Sequence, residues 1–262
     1  MEVSGEGLGA LPSGPTNLVA RAALRLFERV GRAKPAGLQI RCTNRIPLGS
    51  GLGSSAAAVV AGLVGANALL GEPLDKLQLL RLAAEIEGHP DNAAAALLGG
   101  LVVVADGGEN LMARKIEIPA LALAVVVPEF TLPTRAARAA LPQQVALPDA
   151  VFNLGRTALV VEALRTGDLE LLGQAMQDRL HQPYRLKLIP GAEAALAAAR
   201  QAGAAAAALS GAGPGVVAFG RGSLEPVSQA MLGAFAAAGL PARAWILTVT
   251  PQGAHYFIRE LR

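Results

Sequence analysis

From Pro47 the chain reads Pro-Leu-Gly-Ser-Gly-Leu-Gly-Ser-Ser-Ala-Ala, the segment whose residue types and spacing could do chemistry. Gly49, Gly51 and Gly53 remove side chains at alternate positions, so backbone amides can come close to a ligand. The alanine- and valine-rich run after Ser55 reads as a helix. A glycine loop that opens a helix presents free first-turn amides and the positive end of the helix dipole, and both favour an anion. Phosphate is the expected guest. The run is not a P-loop, because no lysine follows its last glycine, and it is not G-x-G-x-x-G. The same glycines would also suit a tight strand-to-helix turn that binds nothing. The adjacent serines tilt the balance: one hydroxyl can cap the helix while the other stays free for a metal ion.

Such a loop must be held between a strand and a helix. Residues 38–47 alternate apolar and polar side chains (Leu38, Ile40, Cys42) and read as the strand. The helix is expected over 54–70, capped by Ser54 or Ser55 and ended by Gly71 and Pro73. A strand-like opening (2–11) and a helix over 17–32 precede these elements. A helix over 74–87 follows, then a GHPDN turn, a small-residue run, and strands over 101–106 and 121–129. A domain boundary is expected near Pro119. Beyond it, helices are expected over 134–141, 151–167, 169–180 and 191–203. Residues 204–220 read as two strands around a glycine turn, the alanine-rich first strand having weak propensity. A helix over 224–238 and a strand over 242–248 complete an α+β chain in two layered halves.

With 262 residues, the chain suffices for one large domain or two ordinary ones. Apolar residues make up 52% and charged residues 16%, which excludes disorder and coiled coil. The net charge of +3 is spread thinly, and aromatics are only 3%, so no basic stacking surface for nucleic acid is expected. The single Cys42 cannot form an internal disulfide, and three histidines add no zinc spacing. A cytoplasmic protein without a structural metal is expected. The start of the chain has no basic and apolar signal-peptide pattern. Residues 46–71 carry no charge and are long enough to span a bilayer. Their first part, however, is glycine and serine that would expose polar backbone to lipid. A buried helix is favoured, with no membrane partner.

The loop PLGSGLGSSAAA closely resembles the phosphate loop of the GHMP small-molecule kinases. EIEGHPDNAAAALLGG is similar to the segment that follows the phosphate-loop helix in homoserine kinases, and LSGAGPGVVAF to the superfamily's C-terminal glycine motif. TLPTRAARAALP and QDRLHQPYRLKLIP resemble homoserine kinases in particular, and the ordered set spans nearly the whole chain. The resemblance implies a two-domain GHMP kinase fold. Residues 1–118 would form a domain like the second domain of ribosomal protein S5, and residues 119–262 a ferredoxin-like domain. It also implies transfer of the ATP γ-phosphoryl to the hydroxyl of L-homoserine, a step of threonine biosynthesis. A homodimer stands as one option for the oligomeric state.

Residue by residue, the resemblance assigns the nucleotide phosphates to Pro47, Leu48, Gly49, Ser50, Gly51, Leu52, Gly53, Ser54 and Ser55, and the neighbourhood of the adenine to Asn17. Ser55 and Glu87 would hold Mg²⁺, a hard ion that takes one or two protein oxygens plus phosphate and water. Asn92 would orient the substrate, because an amide cannot take up a proton at neutral pH. Asp91 beside it is either a base or an Asx-turn residue. Thr134, Arg138 and Arg185 would contact the amino-acid substrate or the transferred phosphate, the arginines by forked donation to a carboxylate. Taken singly, Arg138 would read as a surface charge, Arg185 as a structural ion pair and Asn17 as a helix cap. Ser210, Gly211 and Gly213 would form a turn near the loop; no catalytic role is given to His89, His181 or His255.

Homoserine kinases begin with a strand and a PATSANLGPGFD motif that the given sequence does not contain. A lost sheet edge and weak substrate binding are therefore expected of the chain as it stands. Two other readings stay open: a kinase of another small alcohol, and a nucleotide-binding module without turnover. A membrane-anchored protein is a remote third.

Overall fold

The computed structural model describes residues 1–105, 107 and 110–259. They form two compact units: Met1–Leu48, Gly53–Ile116 and Thr250–Arg262 make the first, and Gly49–Leu52 with Glu117–Val249 the second. Both mix helices and strands. The chain changes unit between Ile116 and Glu117, close to Pro119, but the second unit does not run to the end of the chain as 119–262 had it. Residues after Val249 return to the first unit, where Gly100 N–H donates to the Thr250 carbonyl and Ala254 N–H to Ala96. Nothing local in a proline- and glycine-containing tail marks a partner so far back in the chain.

In the first unit, strand β1 (Glu2–Gly5) is followed by helix α1 (Leu18–Arg29), and strand β2 (Arg41–Asn44) pairs in parallel with β1. Helices α2 (Ser54–Leu69), α3 (Lys76–Glu87) and α4 (Asp91–Leu98) come next. Strands β3 (Leu101–Ala105) and β4 (Met112–Ile116) then form an antiparallel pair. The strand read over 101–106 thus ends by Ala105, and Asp106 lies outside the described residues. Strand β4 was not expected: it is short, pairs only with β3, and carries Arg114 and Lys115 on exposed positions, which hides its period.

The core of this unit is helical. Ala56, Val59, Val60 and Leu63 of α2 pack with Ala22, Ala23 and Leu26 of α1 and with Leu79, Leu80 and Leu82 of α3. Gly62 sits where α1 crosses: a methyl group added there would lie 2.3 Å from the Val19 carbonyl oxygen, so the two helices touch backbone to backbone. This close crossing accounts for the apolar, charge-free 46–71 stretch, of which α2 takes 16 residues. Among the described residues, no helix is long and apolar enough to cross a membrane.

Asn17 caps α1. Its Oδ1 accepts from Val19 N–H at 2.9 Å, and its Nδ2 donates to the Pro12 carbonyl at 2.8 Å. Asn17→Ala removes both bonds from a side chain that is 5% exposed. It should lower stability by about 1 to 2 kcal/mol, read as a shifted urea midpoint at constant slope.

The second unit is a four-stranded antiparallel sheet with helices on both faces. Strand β5 (Ala122–Pro128) is followed by helices α5 (Thr134–Ala139), α6 (Leu147–Thr166), α7 (Leu169–Ala175), α8 (Gln182–Leu186) and α9 (Ala192–Gln201). Strands β6 (Ala206–Leu209) and β7 (Val216–Phe219), helix α10 (Glu225–Ala237) and strand β8 (Ala242–Thr248) complete it, in the order β6-β7-β5-β8. Alternate residues serve the two faces. Ala124, Val126, Val216 and Ala218 meet α9 and α10, where Leu196, Met231 and Phe235 are buried. Leu121 and Ala206 meet Ala163 of α6 and Leu172 of α7.

The alanines of β6 follow from this arrangement. All four β6 residues are buried, and a methyl group added at Gly173 of α7 would lie 2.3 Å from the Ala205 carbonyl oxygen. Larger side chains on that face would hold the helix off, so packing overrides strand propensity.

Candidate active site

The three loop glycines are all left-handed, with φ of 62° at Gly49, 79° at Gly51 and 74° at Gly53. Only glycine adopts that conformation without strain. Gly51 has a second reason: a side-chain carbon there would lie 2.1 Å from the Ser210 carbonyl oxygen.

Within the second unit, the loop residues Gly49–Leu52 are stitched to the turn between β6 and β7. Ser210 Oγ donates to the Gly51 carbonyl at 2.9 Å, and Gly215 N–H donates to the Ser50 carbonyl at 3.0 Å. Ser50 is buried, and its hydroxyl accepts from Leu52 N–H at 3.3 Å. The Ser210–Gly211–Gly213 turn is therefore a brace for the middle of the loop. Pro47 is buried and Leu48 exposed at the edge of the first unit.

In the first unit α2 starts at Ser54, and its N-cap is Gly53, with no side-chain capping bond. The expected serine cap is not formed. Ser55 instead donates through Oγ to Glu87 Oε2 at 2.6 Å. The hydroxyl proton thus goes to a carboxylate carried by another helix. Glu87 is the last residue of α3, where Gly88 turns the chain at φ 81°. Packing of α2 on α3 through Val59, Leu79 and Ala83 holds the two residues together.

Asn92, in the first turn of α4, lies against the loop: an added carbon at Gly53 would be 3.7 Å from its Cβ. Gly53, Ser55, Glu87 and Asn92 thus share one locality within one unit. Asp91 is engaged rather than free. Its Oδ1 accepts from Asn92 N–H at 2.7 Å and is 2.6 Å from His89 Nδ1. Asp91 is the first residue of α4, whose N-cap is Pro90, and its carboxylate is held locally by these two neighbours.

One hydroxyl and one carboxylate are the hard oxygens Mg²⁺ takes. Among the described residues, no group of three or more His, Cys, Asp or Glu converges to hold a metal. The Ser55–Glu87 pair fits the ion on the chemistry of its donors.

In the second unit, Arg138 is exposed on the last turn of α5, and Thr134 begins that helix, its side chain lying outside the described residues. Arg185, on α8, reaches across to both neighbours. Its Nε donates to the Ala137 carbonyl of α5 at 3.3 Å, and its Nη1 to the Gly211 carbonyl at 3.4 Å and to His181 Nδ1 at 3.3 Å.

Behind it sits a residue given no role from sequence, Asp178. Its carboxylate accepts from Asn153 Nδ2 at 2.6 Å, His181 N–H at 2.8 Å and Gln182 N–H at 2.6 Å. Burial alone would raise the Asp178 pKa; the Gln182 and His181 amides and Asn153 outweigh it and hold the carboxyl below its ordinary value. Burial, helped by Arg185, keeps the His181 pKa low against the pull of Asp178. Asp178 and His181 lie inside QDRLHQPYR, so the signal was present, but an aspartate before a short helix looks like any N-terminal acid.

Residues 17–100 match the family of GHMP kinases N terminal domains, and residues 160–237 that of GHMP kinases C terminal domains. The homoserine kinase of Moorella thermoacetica is 52% identical over 91% of this chain and 80% of its own length. That of a Synechococcus strain is 45% identical over 94% of this chain and 79% of its own length. Among solved structures, homoserine kinase from Cytophaga hutchinsonii superposes with a TM-score of 0.87 at 36% identity, covering 97% of this chain and 82% of that one. Mevalonate kinase of L. major, at 22% identity and a TM-score of 0.69, shares the fold over 97% of this chain and 83% of its own.

Proposed function

The chain belongs to the GHMP kinase family, and on that premise we propose that it transfers the γ-phosphoryl group of ATP to the hydroxyl of L-homoserine. The products are O-phospho-L-homoserine and ADP, and the step belongs to threonine biosynthesis. The chain is an ATP-dependent kinase acting on an alcohol. The observation that carries the site assignment is the 2.6 Å contact between Ser55 Oγ and Glu87 Oε2, which joins two helices at the phosphate loop.

Mg²⁺, held by Ser55 and Glu87, would supply charge stabilisation at the phosphates. The loop and the uncapped first turn of α2 offer amides and a helix dipole to the phosphate oxygens. Asn92 places the acceptor through its amide, beside Gly53. Arg138 and Arg185, with Thr134, take the amino-acid end of homoserine, guanidinium suiting carboxylate. No residue needs to remove the hydroxyl proton early. The transition state of phosphoryl transfer is loose, and positioning and charge do most of the work. That agrees with an Asp91 carboxylate already engaged by His89 and Asn92. The proposed setting is the cytoplasm.

The test is a coupled assay of ADP release with ATP, Mg²⁺ and a panel of small alcohols. Homoserine should raise ADP release well above the rate without acceptor, with mevalonate and galactose near background. Preference for another alcohol overturns the substrate, and nucleotide binding without acceptor-dependent turnover overturns the kinase reading for this chain.

A further inference from the structure

We propose that Asp178 and His181 are positioning residues for Arg185, and that the unprotonated imidazole of His181 is the form that holds the guanidinium. What Arg185 binds rests on the reading above; how it is held rests on geometry inside the second unit alone.

Helix α8 has five residues, too few to be stable through its own hydrogen bonds. Its start is set from outside. Asp178 Oδ2 accepts from the consecutive amides of His181 and Gln182, while Oδ1 accepts from Asn153 Nδ2 of α6 and, at 3.2 Å, from Leu180 N–H. One carboxylate thus ties the first turn of α8 to α6. The side chain is 8% exposed, so these bonds are sheltered from water. From the fixed start, Gln182 Oε1 accepts from Leu209 N–H at 2.9 Å, anchoring α8 to the end of β6. Arg185, one turn on, then lies between α5 and Gly211.

His181 completes the hold. A guanidinium only donates, so the contact from Arg185 Nη1 to His181 Nδ1 requires a lone pair on Nδ1. The ring is then neutral with its proton on Nε2, which lies 3.8 Å from Asp178 Oδ1. Protonation would place a second N–H against the guanidinium, removing an acceptor and opposing two cations. Among the described residues, the charged groups that act on the ring are Asp178 and Arg185. Burial and Arg185 favour the neutral ring, Asp178 the charged one, and the balance lies below the ordinary histidine value. The unfolded chain therefore binds the proton more readily than the folded one. The stability this arrangement contributes is complete above about pH 6.5 and declines as pH falls toward the lowered folded value. The hold on Arg185 fails as pH passes through that folded value.

Two measurements on the full chain decide it. In ¹⁵N NMR at about pH 8, His181 should appear as the Nε2–H tautomer, and Arg185→Met should raise its pKa. An Nδ1–H tautomer, or a pKa indifferent to Arg185→Met, overturns the proposal whether or not the chain turns over homoserine. In steady-state kinetics, His181→Leu should raise the KM for homoserine about tenfold, the loss of one hydrogen bond to a charged group, and leave the KM for ATP unchanged. His181→Asn, which restores an acceptor near the Nδ1 position, should return most of that loss and flatten the pH dependence of KM below about pH 6.5. Asp178→Asn should raise the same KM with a lowered Tm. Equal KM values in wild type and His181→Leu overturn the positioning role with the kinase reading intact. Absence of homoserine turnover in the wild type fails that reading alone, and the tautomer still decides the geometry.

Discussion

Glu87→Gln lowers kcat by about a thousandfold, while the protein folds as before. The amide oxygen still accepts from Ser55 Oγ, so the 2.6 Å link between α2 and α3 has a neutral replacement and the buried cluster that includes Val59 and Leu79 is untouched. What would disappear is the charged oxygen proposed to hold Mg²⁺ beside the glycine loop. Removing a single preorganised electrostatic group from a phosphoryl- or acyl-transfer site commonly slows turnover by about 10² to 10³. Near 1.4 kcal/mol per tenfold, a thousandfold is about 4 kcal/mol of transition-state stabilisation. Glu85, on the same helix two residues earlier, pairs with Arg25 and Arg29 on an exposed face. Glu85→Gln therefore leaves kcat within about twofold, since exposed pairs contribute little. Steady-state rates at several Mg²⁺ concentrations, with Tm measured in parallel, separate the two. A Glu87→Gln enzyme within threefold of wild type would remove Glu87 from the site.

The second large effect is on stability, and its sign reverses within one turn of α2. Replacing glycine by alanine in a helix interior should gain about 1 kcal/mol from propensity. At Gly65 that gain stands alone, because an added methyl group meets nothing within 4 Å. At Gly62 the methyl group would lie 2.3 Å from the Val19 carbonyl oxygen and 2.9 Å from Ala22 Cβ. Backbone cannot rotate aside as a side chain can, so α1 must move off α2 and loosen Leu26 and Leu63 at the centre of the core. Overpacking of this kind costs about 1 to 3 kcal/mol or more, and here it exceeds the propensity gain. Gly62→Ala should lower stability by about 2 kcal/mol, and Gly65→Ala should raise it by up to about 1 kcal/mol. Urea titrations of both variants check the pair. A Gly62→Ala protein as stable as wild type would mean the helices are not in backbone contact.

The contrast shows where sequence is informative. The loop, α2 and β8 were legible because their signals are local: alternating glycines, a charge-free alanine run, and a short segment after a helix whose bounds coincide with 242–248. Ser55 was legible as a free hydroxyl, but its partner was not legible from spacing, since Glu87 lies 32 residues away. The serine cap was expected because first-turn amides are the donors nearest its oxygen; in the fold Gly53 takes the N-cap position, and α3 brings in the carboxylate to which the Ser55 hydroxyl donates. Strand β4 and the returning tail near Thr250 were missed for the same reason. Each takes its identity from a partner, β3 in one case and Gly100 in the other, rather than from its own residues. Asp178 is the sharpest instance. Its acceptors' partners come from α6 and from amides that converge only because α8 exists.

The brace at Ser50 and Gly51 bears on how a nucleotide would be received. Two main-chain carbonyls of the loop are already spoken for, by Ser210 Oγ and Gly215 N–H. The left-handed bend at Gly51 is thus held by the β6–β7 turn. A triphosphate received there, as proposed, would meet a segment already held by its neighbours and be spared the ordering entropy of a slack one, about 1 to 2 kcal/mol for each backbone residue frozen.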